Sequence, residues 1–503
     1  MPNPADAPAP PSGAISRRAL IGGAAAAGAA AALPAARAGA APARRTADVI
    51  VVGAGLAGLS AARAIAAAGR SVIVVEARER VGGRTLNASL ARLGGPGEVV
   101  EVGGQWVGPT QNRIAALAKS VGVKTFKTYN EGDNILRFAG EVKRYKATDP
   151  LPPLSGATQQ AFLQAFVEID TLAQTVPLDA PWKAPRAREF DSQTFASWAQ
   201  ANIPDQGARD FFTIGIEAVW AAEPADVSLL HVLFYIRSAG DAKHPGSLAR
   251  LISTAGGAQE SRFVGGSQSI SIEVARRLGR RVVLNAPVRR IAQGGGKVRV
   301  TTDAGVFTGK RVIVTVPPAL CGRIDYDPLL PGFRDQLTQR FPMGSVIKCE
   351  AVYDRPFWRD QGYSGQVISD TGPVKITFDN SPPSGKPGVL LGFLEGDAAR
   401  QLGRRSAKAR RDAALEAFAR SYGDRALKPR AFVTKSWAED EWTRGCYVGY
   451  TGPGVLTSFG EAIRAPIGRI HWAGTETATE WNGYMDGAVQ SGQRAAKEVL
   501  AQI

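Results

Sequence analysis

The hydrophobic pattern changes period abruptly just after residue 47. Asp48-Val-Ile-Val-Val52 is an unbroken β-branched run, as expected of a strand buried on both faces of a parallel sheet. Gly53-Ala-Gly55-Leu-Ala-Gly58 follows directly. An Ala-rich helical pattern then runs to Ala68 and stops at Gly69, a usual helix-ending residue. Ser71-Val-Ile-Val-Val75 is a second apolar run, closing on Glu76. The order predicts strand, tight turn, helix, strand. Further on, Val282–Val288, Lys297–Thr302 and Arg311–Pro318 read as a second block of β structure. Residues 151–250 carry long helical patterns instead, among them Leu229–Arg237. Pro/Gly-rich breaks near 146–157 and 381–388 read as loops, and no internal repeat is present.

The glycine turn has a chemical reading. Gly53 permits the tight turn, Gly55 lets backbone approach a pyrophosphate, and Gly58 lets helix and strand pack closely. The helix N-terminus then favours phosphate, and Glu76 stands where an acid accepts hydrogen bonds from an adenosine ribose. Together these predict dinucleotide binding; an ordinary βαβ unit with a glycine-rich turn is the bland alternative. The next motif separates a nicotinamide from a flavin dinucleotide. Glu76-Ala-Arg78 leads to Val81-Gly82-Gly83-Arg84-Thr85, in which paired glycines and a guanidinium reach a second stretch of pyrophosphate. A nicotinamide domain needs no such insert. Glu101-Val-Gly103-Gly104-Gln105-Trp106 then reads as backbone lying close to something flat, or as ordinary turns.

The chain has 503 residues with 44% hydrophobic content, enough for two or three domains. Its net charge of +16 favours acidic surfaces but does not bear on fold. No basic run with interleaved aromatics supports nucleic-acid binding. The three cysteines and three scattered histidines offer neither a disulfide framework nor a metal site. A serine hydrolase is unsupported because no Gly-x-Ser-x-Gly elbow accompanies a base. Ser16-Arg17-Arg18-Ala19-Leu20-Ile21, the mild Ala/Gly run to Leu33 and Ala36-Arg37-Ala38 read as a twin-arginine export signal with a small-residue cleavage site. A low-complexity tail and an uncleaved anchor are the alternatives, the latter disfavoured because Ala and Gly partition poorly into lipid. Cleavage would remove three arginines and one aspartate, so the basic character belongs to the folded part. The expectation is a soluble, periplasmic or secreted protein without a membrane span.

Motifs in order along the chain resemble the flavin-dependent amine oxidase family, and the monoamine oxidases most of all. They are Gly53–Gly58, Gly82-Gly83-Arg84-Thr85, Gly104-Gln-Trp-Val-Gly-Pro-Thr-Gln-Asn-Arg113, Gly256-Gly-Ala-Gln259 through Gly266, Met343-Gly-Ser-Val-Ile-Lys348, Gly445-Cys-Tyr447, Ala473-Gly-Thr-Glu476-Thr477 and Trp481-Asn-Gly-Tyr484-Met-Asp-Gly-Ala-Val489. The resemblance implies an α/β fold. A Rossmann-like FAD domain would be built from 46–125, 255–340 and 440–503, and an α+β substrate domain with a mixed sheet from 126–254 and 341–439. Residues 1–45 would be signal and linker.

The resemblance also implies site roles. Tyr447 and Tyr484 match paired aromatics that flank an amine in front of the flavin, where stacked faces favour electron-rich or cationic groups. Lys348, costly to bury without a task, matches a lysine that assists reoxidation by oxygen. Gln259 and Ile252 match pocket residues, although Ile252 reads equally as plain core. Trp437 matches an aromatic beside the flavin, Val288 a backbone contact to adenine, and Glu476 an acid at the ribityl or pyrophosphate region. Met485 opens a helix whose positive end would lie by the flavin pyrimidine. Cys446 stands where animal relatives attach FAD through a thioether. Arg444 replaces their glycine, and it would either lower the thiol pKa or misplace the sulfur.

The expected reaction is oxidation of a primary amine by FAD, with aldehyde, ammonia and hydrogen peroxide as products. The partners would be a small-molecule amine and oxygen, with no metal, and a homodimer is the assembly this reading admits. An L-amino acid oxidase would need an arginine fork, with Arg237 the nearest candidate. A polyamine or diamine oxidase would want acids such as Glu217 or Glu223. A flavin-binding protein without turnover is the non-enzymatic reading.

Overall fold

The computed structural model describes residues 44–91, 98–149 and 151–503. The runs Val49–Val52 and Val72–Val75 are buried at every position. They lie at the centre of a five-stranded parallel sheet ordered Val282–Val283, Val72–Val75, Val49–Val52, Arg311–Val314 and Ile470–Trp472. Three distant parts of the chain are thereby stitched together by hydrogen bonds.

Strand alternation divides the burial. Val49, Val51, Val72 and Val74 pack against Leu59, Ala61, Ala62 and Ile65 of helix Leu56–Ala67 and against Val489, Ala496 and Val499 of helix Met485–Leu500. These two helices touch backbone to backbone. A Cβ on Gly492 would stand 2.1 Å from the carbonyl oxygen of Ala57, so only glycine fits there. On the other face Ile50, Val52, Ile73 and Val75 meet Ile291, Val298, Val300 and Phe307. Those belong to a second five-stranded sheet ordered Arg44–Thr46, Gly305–Gly309, Lys297–Thr302, Val288–Gly294 and Asp325–Asp327. The run 282–288 is not one strand. Asn285 takes a φ of 53°, a left-handed turn that asparagine tolerates better than most residues. The strand therefore ends at Val283 and a new one begins at Val288.

A seven-stranded mixed sheet forms the other large layer, ordered Ala431–Ser436, Val346–Tyr353, Gly388–Glu395, Val374–Asp379, Tyr363–Ser369, Asp133–Phe138 and Glu141–Lys146. Only the Tyr363–Ser369 and Asp133–Phe138 pair is parallel. Helices Gly156–Gln174, Gln206–Trp220 and Leu229–Ser238 build an apolar core beside it, rich in Phe162, Phe195, Phe211, Phe212 and Trp220. The architecture is α/β, with a Rossmann-like parallel sheet and a mixed sheet. Among the described residues no helix is long and apolar enough to cross a membrane. The twin-arginine segment lies outside the described residues.

Candidate active site

A single cavity of about 690 Å³ runs from the carboxyl ends of the parallel strands to the mixed sheet and the helical core. Its first half is a groove of close backbone approaches. Gly53 has a φ of 104°, and a Cβ there would meet the Thr315 hydroxyl at 2.6 Å. A Cβ on Gly83 would lie 3.3 Å from the Gly55 Cα. Gly58 does not line the groove. A Cβ there would stand 2.0 Å from the Gly53 carbonyl oxygen, so its part is to close the turn onto the helix. Glu76 is buried and both its oxygens are in use: Ala54 N donates to Oε2 at 2.7 Å and Arg78 N to Oε1 at 3.0 Å. Arg78 in turn donates to Asp440 and Thr443. Val288, Gly104, Trp106 and Met485 continue the wall. The buried Trp106 Nε1 has no partner among the described residues. Glycines cleared for backbone approach and lining arginines suit an elongated dinucleotide with two phosphates.

Arg84 lies between the halves. Its guanidinium donates to both oxygens of Glu476, at 2.6 and 3.0 Å, and to the carbonyl of Tyr447 at 3.0 Å. Glu476 also accepts from Gly449 N at 3.2 Å. Its oxygens are taken up in holding Arg84, and it is not among the residues that line the cavity. Burial alone pushes the Glu476 carboxyl up, but the charge and hydrogen bonds of Arg84 outweigh it and hold the group below its ordinary value.

The second half is apolar and aromatic. Phe162, Phe166, Phe195, Phe211 and Phe212 line it together with Ile214, Ile216 and Trp220. Tyr447 and Tyr484 both face it. Tyr447 packs edge-on against Phe393 at 5.8 Å, and Tyr484 against Trp481 at 4.8 Å. The Tyr447 hydroxyl donates to Glu395 Oε1 at 2.7 Å. Gln259 lines the cavity with its Nε2 on the Leu251 carbonyl at 2.9 Å and its Oε1 unpartnered among the described residues. Ile252 also lines it but is 39% exposed, so it stands at the edge and is not plain core.

Lys348 reaches the cavity from strand Val346–Tyr353. Its Nζ donates to the carbonyls of Glu101 and Gly103 and to Gln105 Oε1, with Glu350 at 3.7 Å. Burial pushes the ammonium down to about 8, while Glu350 and Glu101 resist. Trp437 is buried and donates its indole N–H to Val102 at 2.8 Å. Cys446 is buried on the cavity wall, and the Cys446–Tyr447 peptide is cis. Burial pushes its thiol up to about 12, opposed mainly by Arg84. Arg444 is not among the leading influences on that thiol; it supplies a turn residue at φ 57°.

Other sequence candidates fall away from the cavity. Arg237 lines a separate surface depression with Gln174 and Pro185. Glu217 is paired with Lys375 at 2.5 Å, and Glu223 accepts from Asp397 N at 2.7 Å. No group of three or more metal-ligating side chains occurs among the described residues. Sequence reading missed Glu395, and with it the buried cluster of Glu101, Arg262, Glu350 and Asn380 behind Lys348.

Removing one partner of the Arg84–Glu476 pair strands a buried charge, so Arg84→Ala is expected to cost ~3–5 kcal/mol. Glu476 also makes stability pH-dependent in a defined sense. Its folded pKa is below the reference 4.5, so its contribution is complete above pH 4.5 and is lost as pH falls through the folded value. Urea melts of wild type and Glu476→Gln between pH 6 and about 3 should show a shallower acid loss in the variant. Equal slopes would remove Glu476 as a source of acid sensitivity.

Residues 56–500 match the family described as flavin containing amine oxidoreductase. The chain is 42% identical to a probable flavin-containing monoamine oxidase A of Dictyostelium discoideum over 462 residues, covering 91% of this chain and 98% of that one. Among solved structures it is similar to a putrescine oxidase bound to putrescine, at TM-score 0.86 and 35% identity over 91% of this chain and 100% of the other. It is also similar to cyclohexylamine oxidase from Brevibacterium oxydans, at TM-score 0.85 and 33% identity over 91% and 99%. With the glycine groove for a dinucleotide opening onto an aromatic chamber, the chain belongs to the flavin-containing amine oxidases and uses FAD.

Proposed function

We propose that this protein oxidises primary amines that carry no α-carboxylate, yielding aldehyde, ammonia and hydrogen peroxide. One observation carries the reading: charge and apolar wall are segregated along the cavity. The arginines that line it are Arg78, Arg84, Arg289 and Arg323, all in the segments around the parallel sheet, while the far half is mostly phenylalanine, isoleucine and tyrosine, with polar side chains such as Gln259 and Glu395 but no arginine. An amino-acid carboxylate entering that half finds no guanidinium fork, whereas an aryl or alkyl amine buries apolar surface at about 25 cal/mol per Å².

The groove of Gly53, Gly55, Gly83, Arg84 and Gly104 would hold FAD, and the bound flavin supplies the acceptor for a hydride equivalent from the amine α-carbon. The protein's own share is positioning. Tyr447 and Tyr484 present ring faces to the amine and exclude water from it. Tyr447 is fixed at both ends, by Arg84 on its carbonyl and Glu395 on its hydroxyl. Lys348 presents a cation and an exchangeable proton at Nζ where oxygen is to be reduced. Helix Met485–Leu500 directs its N-terminus toward the cavity through Met485, which favours negative charge there.

Anaerobic mixing with a panel of amines tests the reading. Benzylamine and alkylamines are expected to bleach the flavin band and L-amino acids to leave it unchanged; the reverse pattern would overturn the assignment. Lys348→Met is expected to slow reoxidation at least tenfold, in line with loss of a general acid–base group, while reduction by amine changes far less. Equal loss in both half-reactions would remove Lys348 from oxygen chemistry.

Cys446 is proposed to tie FAD to the chain, since its sulfur is buried on the cavity wall one residue before Tyr447. Such a link would replace the thiol hydrogen and one hydrogen of the flavin 8α carbon, with oxygen as the two-electron acceptor. Trichloroacetic acid should then precipitate the flavin with wild-type protein but release it from Cys446→Ala. Release from wild type would show a non-covalent cofactor.

A further inference from the structure

Four carboxylates line the cavity: Glu76, Asp149, Glu395 and Glu441. Glu76 is consumed by backbone N–H groups at the dinucleotide end. Asp149 and Glu441 are exposed. Glu395, at 5% exposure, is the buried carboxylate of the aromatic half. It ends the buried strand Gly388–Glu395, and its Oε1 takes the hydroxyl of Tyr447 at 2.7 Å. Its Oε2 accepts no hydrogen bond among the described residues. The turn that follows is enforced: Gly396 has a φ of 53°, and a Cβ there would strike Glu223 Oε1 at 2.3 Å.

A free carboxylate oxygen in an apolar chamber is costly unless it meets a cation or a proton. The surrounding charges do not neutralise it. Glu217 on helix Gln206–Trp220 and Lys375 on strand Val374–Asp379 are paired with each other at 2.5 Å. Glu223 is engaged with Asp397 N and lies 3.8 Å from Arg400. An aliphatic or benzylic amine, meanwhile, arrives protonated near neutral pH, and only its neutral form can give up a hydride.

We propose that Glu395 is the docking carboxylate for the protonated amine and the acceptor of its proton, within the amine-oxidation reading above, on which this rests. The step is R–CH2–NH3+ plus carboxylate giving R–CH2–NH2 plus carboxylic acid. One N–H bond breaks, one O–H bond forms, and no electrons are transferred. The free amine is left beside Tyr447, and the carboxyl returns its proton to solvent before the next turnover. Glu395 thus selects amines as cations at entry, and the tyrosine rings hold them as neutral bases.

The pH consequence follows from the same environment. Burial pushes the Glu395 carboxyl up to about 8, with Glu217 adding and the Tyr447 hydrogen bond and Lys375 opposing. Docking strengthens as pH rises through that value and fades once the amine itself deprotonates, near 10 for an alkylamine.

The test is binding of benzyltrimethylammonium, a cation with no N–H to lose, and of benzyl alcohol, its neutral counterpart, to the holoenzyme by flavin difference spectra from about pH 6.5 to 9.5. Cation affinity should rise with pH in wild type. At the alkaline end it should be at least tenfold weaker in Glu395→Gln, as for loss of a charged contact, and it should regain its pH dependence in Glu395→Asp. Benzyl alcohol should bind all three alike. A flat cation profile in wild type, or an equal loss of both ligands in Glu395→Gln, overturns the proposal. Substrate kinetics keep the two readings apart. If amines reduce wild type and Glu395→Gln with the same acid limb in kcat/KM, Glu395 fails and amine oxidation stands. If no amine reduces wild type while cation binding follows Glu395, amine oxidation fails and cation docking stands.

Discussion

The ion pair between Arg84 and Glu476 is the constraint from which the site is built. It joins residues 392 positions apart and adds a third segment through the Tyr447 carbonyl and Gly449 N. The glycine turn that would carry the phosphates, the loop that carries Cys446 and Tyr447, and the 3-10 turn Thr475–Thr477 are thereby held in one geometry. Such a pair in a dry interior contributes little net attraction after desolvation. Its value is orientation: a bidentate guanidinium tolerates one arrangement of its acceptors. Loss of either partner would leave a charge without compensation and release the tyrosine backbone together.

Around this pair the cavity is divided by chemistry. On one side, backbone amides, glycines and arginines prepare a polar groove. On the other, phenylalanines from helices Gly156–Gln174 and Gln206–Trp220, packed edge-on and tilted, make a chamber in which any charge must be explained. Phe162 alone contacts the rings of Phe166, Phe211 and Phe212 at 4.9 to 5.7 Å. That packing keeps water out and raises the cost of carrying an ammonium inward, which is why the few polar atoms on the tyrosine side matter more than their number suggests.

The local parts of this design are legible in the sequence. Gly53, Gly55 and Gly58 announce themselves because each answers a steric demand set within a few residues, and the strand runs around them are unbroken. The break at Asn285 was missed because the residues on either side keep the apolar pattern and only the backbone turns. For Glu476 the motif shows that an acid is needed but not that both its oxygens hold Arg84. Glu395 was overlooked for a related reason. It closes an eight-residue buried strand, Gly-Val-Leu-Leu-Gly-Phe-Leu-Glu, just before Gly396, so the sequence carried a signal in the form of an acid ending a wholly apolar run. Its partner Tyr447 lies 52 positions away, and no periodicity reports that contact.

Strand register explains how the opposite charges of this site come to share one wall. Val346 pairs with Glu395, Lys348 with Phe393, and Glu350 with Leu391. Directly opposed residues, and those two apart on each strand, project from the same face. One face of two neighbouring strands therefore presents Val346, Lys348, Phe393 and Glu395 to the cavity. Burial then acts on the two ionisable groups in opposite chemical senses with the same outcome. It lowers the ammonium and raises the carboxyl, drawing the two toward each other. Phe393 stands between them, packed against the Tyr447 ring and 5.8 Å from Lys348 Nζ. A slip of one residue in this pairing would turn both groups away from the cavity at once. The sheet register thus ties Glu395 and Lys348 to a single structural choice.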